Sequence, residues 1–332
     1  MACAVNRAPV SESAFDAFDG DVLSLDVPAA LESMRVDRAL SMLTGLSRSE
    51  VNVVIDRGLV RVDGRVVTKA SMTLMEGQRL EARLPQPDDG EVAPDPTVRV
   101  DVVHDGGDYV VVNKAPGQVV HPGAGQRDHT LVAGLVARYP RMGELSREGL
   151  CEPQRPGIVH RLDKGTSGLL VVATTPEGFI NLTSQLRERT MERTYLGLVE
   201  GHVDEERGVV DAPIGRSSRT PTMMTVRSDG RPARTSYRVL GRLDKPQRVT
   251  LLELKLDTGR THQIRVHVAT IGHPVVNDLR YGHRRDRRLA DERFFLHSST
   301  LAFDDPRSGQ RVTTHADLPE DLVPLVEGLA FR

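Results

Sequence analysis

The stretch HRLDKGTSGLL, residues 160–170, decides the fold of this chain. It sets Asp163 between the cations Arg161 and Lys164, and a turn of small residues and an apolar run follow. A carboxyl group among cations stays ionised, and the ionised form suits a nucleophile or a base better than a proton donor. The run 169–174 predicts a strand, and Thr175-Pro176 predicts the start of a helix.

The composition is that of a soluble globular protein. Of 332 residues, 39% are hydrophobic and 27% are charged, which allows one large domain and a small one. The formal net charge of -2 argues against a protein that coats nucleic acid without specificity. We find neither an apolar run of roughly 18 residues nor the pattern of a secretory signal. Cys3 and Cys151 lie far apart and form no metal or redox pair, so we expect a reduced, cytoplasmic protein.

Composition also divides the chain into four parts. Residues 1–25 are small and acidic and predict a disordered arm. Residues 26–84 predict a compact αα-β unit, and residues 85–97, rich in proline and acids, predict a linker. Residues 98–332 then form a larger domain.

The αα-β unit is predicted from helical periodicity and turn signals. Ser47 and Glu50 have the spacing of a capping box at the start of a second helix, which Gly58 ends. Asp63-Gly64 between valine-rich runs predicts a hairpin. The apolar stripe of the first helix consists of Val36, Ala39, Leu40 and Leu43.

The larger domain mixes strands and helices. The apolar run 109–113 and the alternating run 252–256 predict strands, whereas 176–189 and 264–271 have helical spacing. Because the strands do not alternate regularly with helices, we predict an α+β fold. Its sheet is expected to be mixed but mainly antiparallel, flanked by helices and loops, rather than doubly wound.

Four segments of this domain occur in an order that resembles a known enzyme family. They are NKAPGQVVHPGAG (113–125), HRLDKGTSGLL (160–170), ERTYLGLVEG (192–201) and GRTHQIRVHVATIGHPV (259–275). With NDLRYG (277–282) and FFLHSSTLAFDDPRSG (294–309) they resemble the Rlu family of pseudouridine synthases, which modify uridines in ribosomal RNA and tRNA. The chain looks closest to the RluA/RluD-like branch, and the resemblance covers nearly everything after residue 98.

The resemblance implies a reaction and its catalytic residues. In this family the bond from the uracil nitrogen to the ribose anomeric carbon breaks, and the base turns and reattaches through a ring carbon, without cofactor or metal. Asp163 matches the essential aspartate, which either attacks the anomeric carbon or removes the neighbouring ribose proton. Arg265 matches the basic residue that pairs with it, and Tyr195 matches the tyrosine that packs on the target base.

The same resemblance implies three substrate contacts. Arg161 matches an arginine that can occupy the space left by the flipped base. Leu296 is expected either to cover the uracil ring or to lie in the core. His160 belongs to the motif of Asp163 and is predicted to contact the substrate with it.

The αα-β unit resembles a second family, the RNA-binding domain named after ribosomal protein S-four, also called the alpha-L motif. The resemblance rests on RVDRALSMLTGLSRSEVNVVIDRGLVRVDGRVVTK, residues 35–69. Asn52 and Val53 stand where that family often carries Gln and Lys, so we expect a modest RNA affinity. The side chains that the resemblance predicts to bind RNA are Arg35, Arg38, Arg48, Arg57 and Lys69.

Other polar residues give weaker signals. Lys114 and His121 lie in a turn rich in glycine and proline, where they would either contact phosphate or pack within the turn. His262 and His267 would lie about 140° apart on a helix and cannot share a metal ion. The basic segments 216–238 and 280–293 are either RNA contacts or solvated loops.

We therefore expect an RNA pseudouridine synthase that acts on large-subunit ribosomal RNA as a monomer, without cofactor, metal or obligate protein partner. A tRNA substrate stays open, because target choice depends on the shape of the RNA. A non-catalytic RNA-binding factor would not need the combination of Asp163, Tyr195 and Arg265. A glycoside hydrolase would need a second carboxylate for acid catalysis, for which Glu192 and Glu200 are the nearest candidates.

Overall fold

The chain folds into two units, Met1–Asp89 and Gly90–Arg332. The structure is a computed structural model, and it describes residue 15 and residues 21–46, 48–84, 90–123, 126–220, 222–282 and 284–329. Most of the predicted acidic arm and residues 85–89 of the predicted linker therefore lie outside the described residues. The predicted boundaries between the four parts stay predictions.

The first unit places two helices and a small sheet around one apolar core. Helix α1 (Val36–Thr44) and helix α2 (Arg48–Asp56) contribute Val36, Leu40 and Ile55 to that core. The strands are β1 (Asp21–Asp26), β2 (Val60–Val62), β3 (Arg65–Val66) and β4 (Arg79–Leu84). They form an antiparallel sheet in the order β1-β4-β2-β3. Both predicted helices and the hairpin at Asp63-Gly64 are confirmed.

Three details of this unit differ from the predictions or lie beyond them. Residues 21–25, assigned to the disordered arm, belong to β1, because Leu23 and Leu25 alternate with exposed residues and pack against the core. The arm was predicted from its acids, and this period of two was overlooked. Leu43 is 40% exposed and does not belong to the buried stripe. Ser47, and with it the capping box, lies outside the described residues.

The second unit is built on one large sheet. In chain order its strands are β5 (Val102–Asp105), β6 (Tyr109–Lys114), β7 (Ser167–Ala173), β8 (Glu192–Glu200), β9 (Arg207–Asp211), β10 (Ile214–Arg216), β11 (Met224–Val226), β12 (Arg234–Leu243), β13 (Val249–Leu256), β14 (Leu296–Asp304) and β15 (Arg311–His315). The sheet has the order β5-β6-β7-β14-β8-β13-β12-β9, with β15 beside β14, while β10 and β11 form a separate hairpin. Within the described residues only β7 and β14 pair in parallel, so the predicted α+β fold with a mainly antiparallel sheet is confirmed.

The parallel pair explains the small residues of the 160–170 stretch. Parallel strands begin at the same edge of a sheet, so the segments that lead into β7 and β14 lie side by side. Gly168 pairs with Ser298 at a φ of +106°, and a Cβ there would overlap the Ser298 carbonyl oxygen. A Cβ on Gly165 would overlap the carbonyl oxygen of Glu292. Glycine is needed at both positions because the two segments approach so closely.

The central strands are buried on both faces. Val112 of β6 and Leu170 of β7 face one apolar cluster, and their neighbours Val111 and Leu169 face the other. A strand covered on both sides is apolar throughout, which accounts for the runs 109–113 and 169–174.

Helices cover this sheet. They are α3 (Leu131–Arg138), α4 (Met142–Arg147), α5 (Pro176–Glu188) and α6 (Gln263–Thr270). The predicted start of α5 is confirmed, because Thr175 Oγ1 accepts a hydrogen bond from the Gly178 backbone N–H at 3.2 Å. Two short 3-10 helices lie at Ala29–Leu31 and Val323–Leu325. In the part of the chain that the structure describes, no helix has the length and apolarity needed to span a membrane.

Candidate active site

Asp163 lies in the turn that leads into β7, at the sheet edge where β14 also begins. The backbone N–H of Thr166 donates to the Asp163 carbonyl oxygen at 3.0 Å and closes the turn. The carboxylate is 16% exposed and lines two adjoining cavities. We call them the cleft, of about 1000 Å³ and also lined by Arg161 and Arg280, and the inner pocket, of about 50 Å³ and also lined by Tyr195.

Arg265 on α6 pairs with Asp163, as predicted. Its Nη1 donates to Asp163 Oδ2 at 3.0 Å. A second carboxylate, Asp278, accepts from Nε at 2.6 Å and from Nη2 at 2.8 Å. The guanidinium carbon lies 4.2 Å from the ring centre of Phe294 and 5.1 Å from that of Tyr281. These contacts hold Arg265 in one orientation, with Nη1 aimed at Asp163.

The carboxylate of Asp163 is ionised. Burial favours the neutral acid, but the positive charges around Asp163 outweigh burial and lower its pKa. Because burial also lowers the pKa of His262 and keeps that ring neutral near neutral pH, the permanent positive charges beside Asp163 are those of Arg265 and Arg161. Burial likewise opposes the charge of Arg265, yet Asp278 and Asp163 together raise the pKa of that guanidinium.

Tyr195 and Leu296 form the walls of the inner pocket. Both side chains are 4% exposed, and both belong to the main apolar core as well as to the lining of the pocket. Leu296 therefore lies in the core and also lines the pocket, and its contact with the uracil ring stays a prediction. Burial raises the pKa of Tyr195, so its phenol is protonated. An aromatic and an aliphatic side chain beside a carboxylate are suited to contact with a planar base.

Arg161 lines the cleft and is held by His121. Its Nη1 donates to His121 Nε2 at 3.1 Å, and His121 Nδ1 lies 2.9 Å from the Pro122 carbonyl oxygen. With Nε2 accepting and Nδ1 donating, His121 is neutral, and burial lowers its pKa in agreement with that state. Arg161 remains exposed and so stays accessible to a substrate. His121 thus positions Arg161 and does not merely pack within its turn.

Two buried cations hold the turn behind Asp163. Lys114 is 1% exposed, so it is not a phosphate contact. Its ammonium group donates to the carbonyl oxygens of Ala115, Gln118 and Lys164, at 2.8, 2.9 and 3.2 Å. Arg293, 4% exposed, donates from Nη1 to the Gly165 carbonyl oxygen at 2.8 Å and from Nε to Asp321 at 2.6 Å. The consecutive carbonyl oxygens of Lys164 and Gly165 therefore accept hydrogen bonds from Lys114 on β6 and from Arg293 in the segment before β14.

His160 lines neither the cleft nor the inner pocket, and its predicted substrate contact stays a prediction. Its Nε2 accepts a hydrogen bond from the backbone N–H of Val171 at 3.1 Å. Burial lowers the pKa of His160 to about 3, which keeps the ring neutral. The ring turns back onto β7 because a buried backbone N–H of that strand needs an acceptor.

Comparisons with known proteins show the family of this chain. A model of the family described as RNA pseudouridylate synthase matches residues 108–270. An uncharacterized RNA pseudouridine synthase of Bacillus subtilis (strain 168), YlyB, is 40% identical over 308 residues, which cover 92% of this chain and 98% of that protein. The chain belongs to the RNA pseudouridine synthase family. The enzyme is therefore an isomerase, as predicted.

Two further proteins are similar to this synthase. The ribosomal large subunit pseudouridine synthase D of Haemophilus ducreyi is 36% identical over 319 residues, which cover 92% of this chain and 94% of that one. Among solved structures, Human RNA Pseudouridylate Synthase Domain Containing 1 is 31% identical with a TM-score of 0.53, covering 70% of this chain and 89% of that chain.

The first unit of the synthase matches a family model described as S4 domain over residues 34–80, so the second resemblance is also confirmed. The side chains predicted to bind RNA are all exposed: Arg35, Arg38, Arg48, Arg57 and Lys69. Asp37, 3% exposed, accepts from Arg35 at 2.9 and 3.0 Å and from Arg48 at 2.8 Å. One buried carboxylate thus orients two exposed guanidinium groups.

The two basic segments of the synthase differ in where their arginine side chains lie. In segment 216–238, Arg227, Arg234 and Arg238 pair with acids, whereas Thr220, Thr222 and Met223 line the cleft. In segment 280–293, Arg280 lines the cleft and Arg293 is buried. Arg155, which we did not single out, also lines the cleft.

Sequence reasoning missed Asp278 as a partner of Arg265. It lies in NDLRYG, a segment quoted only as part of the family resemblance, and an acid eight residues after a helix carries no local signal. Its role follows from a contact between residues 13 apart. Within the described residues, no group of three or more His, Cys, Asp or Glu side chains is placed to hold a metal ion.

Proposed function

We propose that this synthase isomerises specific uridines of large-subunit ribosomal RNA, with Asp163 as its essential carboxylate. The observation that carries the proposal is the ionised Asp163, paired with an arginine that Asp278 orients, beside a pocket lined by Tyr195. The substrate is inferred from relatives that are named ribosomal large subunit pseudouridine synthase D, among them those of Haemophilus ducreyi and Nitrosomonas europaea.

The geometry supports each step of such a reaction. The target uridine must leave its stack to reach a carboxylate in a cleft, and the flipped base is proposed to contact Tyr195 and Leu296, which line the inner pocket. Asp163 then acts at the ribose, where both attack on the anomeric carbon and removal of the neighbouring proton need its ionised form. Water must be kept from the reacting base, since it would turn isomerisation into hydrolysis.

The surroundings of Asp163 support an isomerase rather than a glycoside hydrolase. A hydrolase needs a second carboxyl group that is free to act as an acid. Asp278 is 1% exposed, and both of its oxygens accept hydrogen bonds from Arg265. The candidates Glu192 and Glu200 line neither cavity.

The RNA-binding residues of the first unit are proposed to bring the large RNA to the cleft. Arg35 and Arg48 are suited to phosphate because Asp37 holds both guanidinium groups in place. Arg161, Arg155 and Arg280 add positive charge at the cleft itself. We further propose that the synthase acts as a monomer in the cytoplasm, where ribosomal RNA of bacterial relatives is made, and needs no protein partner.

Mapping of pseudouridine by carbodiimide labelling and primer extension tests the proposal. Cells that lack the protein should lose the signal at specific uridines of large-subunit ribosomal RNA. Loss confined to tRNA would overturn the substrate, and an unchanged pattern would overturn the activity. Complementation with Asp163→Asn should not restore the signal although the variant folds and binds RNA. Asp211→Asn, in an exposed pair with Arg234, is the matched control that should restore it.

A further inference from the structure

His262 occupies an unusual position beside Asp163. It precedes α6 and has a φ of +56°, a left-handed conformation that costs a non-glycine residue on the order of 1 kcal/mol or more. Its side chain lines both the cleft and the inner pocket, as that of Asp163 does. The sequence suggested His262 only as half of a histidine pair, and the other half, His267, is fully buried and bonded to Thr235 and Ala212.

A chain of hydrogen bonds determines which ring nitrogen of His262 carries the hydrogen. The backbone N–H of Met224, on β11, donates to the Tyr281 hydroxyl at 3.0 Å. The same hydroxyl lies 2.7 Å from His262 Nδ1. We infer that the phenol donates its one hydrogen to Nδ1, since its oxygen already accepts from Met224. The neutral imidazole then carries its own hydrogen on Nε2.

Tyr281 is itself held in place. Its ring meets His262 edge to face, with ring centres 5.6 Å apart and planes at 75°. The guanidinium carbon of Arg265 lies 5.1 Å from the ring centre, and this positive charge favours hydrogen donation by the hydroxyl. Tyr281 also packs against the small cluster of Ile214, Ala233 and Val266. The donor of the hydrogen to Nδ1 is therefore rigid.

The Nε2–H of His262 is free to meet a ligand. In the described part of the chain no hydrogen bond to Nε2 is found, and the atom is not among the buried polar atoms that lack a partner. Burial lowers the pKa of His262, and the nearby charges of Asp163, Arg265, Arg280 and Asp278 leave it below the ordinary value of 6.5. The ring is a neutral hydrogen-bond donor at neutral pH.

The proposed reaction needs such a donor. When the bond between the uracil nitrogen and the anomeric carbon breaks, both bonding electrons stay with the base, and its two carbonyl oxygens share the negative charge. Asp163 is itself negative, and Arg265 directs three N–H groups to carboxylates. A donor aimed at a carbonyl oxygen stabilises charge that appears only as the bond breaks.

We propose that His262 is a further catalytic residue, whose neutral Nε2–H donates a hydrogen bond to a carbonyl oxygen of the target uracil as the base detaches. Tyr281 is a positioning residue that keeps the hydrogen on Nε2. No proton is transferred in this role, and the ring returns unchanged. The inference rests on the proposed function, since it deepens the chemistry of the same site.

The tautomer is tested without any turnover, on the full chain. Long-range proton–nitrogen NMR correlations of the histidine rings should show His262 with its hydrogen on Nε2. In Tyr281→Phe the Nε2–H form should be less populated than in the wild type, because phenylalanine cannot donate to Nδ1. A hydrogen on Nδ1 in the wild-type protein would overturn the proposal.

The donor role is tested by single-turnover rates on an RNA fragment that contains a mapped target uridine. His262→Leu should slow the reaction by about 10²-fold, the effect of deleting one preorganised donor. His262→Gln, which keeps an N–H donor, should recover part of that loss. Sulfur is a weaker acceptor than oxygen. Replacing a carbonyl oxygen of the target by sulfur should therefore slow the reaction of the wild type by a larger factor than it slows the reaction of His262→Leu. An unchanged rate in His262→Leu, or equal sulfur effects at both carbonyl positions in both proteins, would refute the donor role.

The outcomes separate this inference from the proposed function. A wild-type protein that makes pseudouridine as fast as its His262→Leu variant refutes the inference alone. A wild-type protein that makes no pseudouridine in any RNA refutes the proposed function, and the donor role with it.

Discussion

At the residue scale, the chemistry of this synthase depends on how one arginine is shared. Arg265 binds Asp163 through a single hydrogen bond and Asp278 through two, so Asp278 sets the orientation and Asp163 receives the remaining N–H. Both carboxylates are mostly buried, and their charges are balanced only in part by the one guanidinium. Removing a member of such a group leaves a buried charge without a full set of partners.

We predict that Asp278→Asn lowers kcat on the order of 10²-fold, because Arg265 loses its fixed orientation and Asp163 with it. The variant should also lose about 3 kcal/mol of unfolding free energy, since it breaks a buried pair. Single-turnover kinetics and urea unfolding measure the two effects. Asp211→Asn, in an exposed pair, should change neither, and full activity in Asp278→Asn would contradict the positioning role.

At the element scale, the parallel pairing of β7 and β14 builds the site. It brings the turn after Asp163 against the segment before β14, and cations from two elements then bind consecutive carbonyls of the turn. A corresponding device occurs in the first unit, where Asp37 on α1 ties Arg48 at the start of α2. In both units, buried charged side chains join segments that lie apart in the sequence.

Replacing Lys114 by methionine tests the support of the turn. The methionine fills a similar volume but leaves three carbonyl oxygens without their donor. We expect a loss of about 3 kcal/mol in unfolding free energy, measured in urea. Lys164→Met is the matched control. Lys164 is 46% exposed in a surface ion pair, so its loss should cost no more than about 1 kcal/mol.

The tie between α1 and α2 should depend on pH. Hydrogen bonds from Arg35, outweighing burial, lower the pKa of Asp37 from 3.8 to about 2. A carboxyl whose pKa is lower in the folded state stabilises the fold above its unfolded pKa and ceases to do so as the pH falls through the folded value. The difference in unfolding free energy between wild type and Asp37→Asn, followed by NMR signals of α1 and α2, should therefore shrink between pH 3.8 and about 2. A constant difference would argue against the buried pair.

At the scale of the whole molecule, the proposed RNA contacts are local groups of positive charge. The chain has 44 Lys and Arg against 46 Asp and Glu, so it offers little overall attraction to RNA. Many exposed arginines of the second unit pair with neighbouring acids, whereas the S-four-type unit presents two guanidinium groups on one buried carboxylate. The cleft adds its own arginines beside Asp163.

We predict that Arg35→Gln combined with Arg48→Gln weakens RNA binding about tenfold at physiological salt. Two lost phosphate contacts should reduce the slope of log affinity against log salt by about 1.5. Fluorescence anisotropy over a salt series measures both quantities. Arg79→Gln, an exposed arginine of the same unit paired with Asp26, should leave the slope unchanged. A tenfold loss of affinity in the double variant with an unchanged salt slope would exclude phosphate contacts by Arg35 and Arg48.

Local patterns in the sequence were sufficient for much of this protein. The apolar runs, the helix start at Thr175 and the hairpin at Asp63-Gly64 follow from periodicity and turn chemistry, which depend on neighbouring residues only. The motif around Asp163 and its resemblance to a family predicted the fold, the reaction and the pairing with Arg265. Strand β1 was not predicted, because the acidic composition of residues 1–25 was given more weight than the alternation of apolar and exposed side chains in residues 21–25.

The tertiary structure alone decided the contacts of His121 and Asp278. His121 reaches Arg161 across 40 residues, Asp278 reaches Arg265 across 13, and neither contact has a local signal. His160 and Lys114 resemble site residues in the sequence, yet both face buried backbone groups. Sequence periodicity determines whether a residue is buried, because it depends on neighbouring residues only. The partners of a buried residue depend instead on how the strands pair and on which unsatisfied donor or acceptor lies nearest.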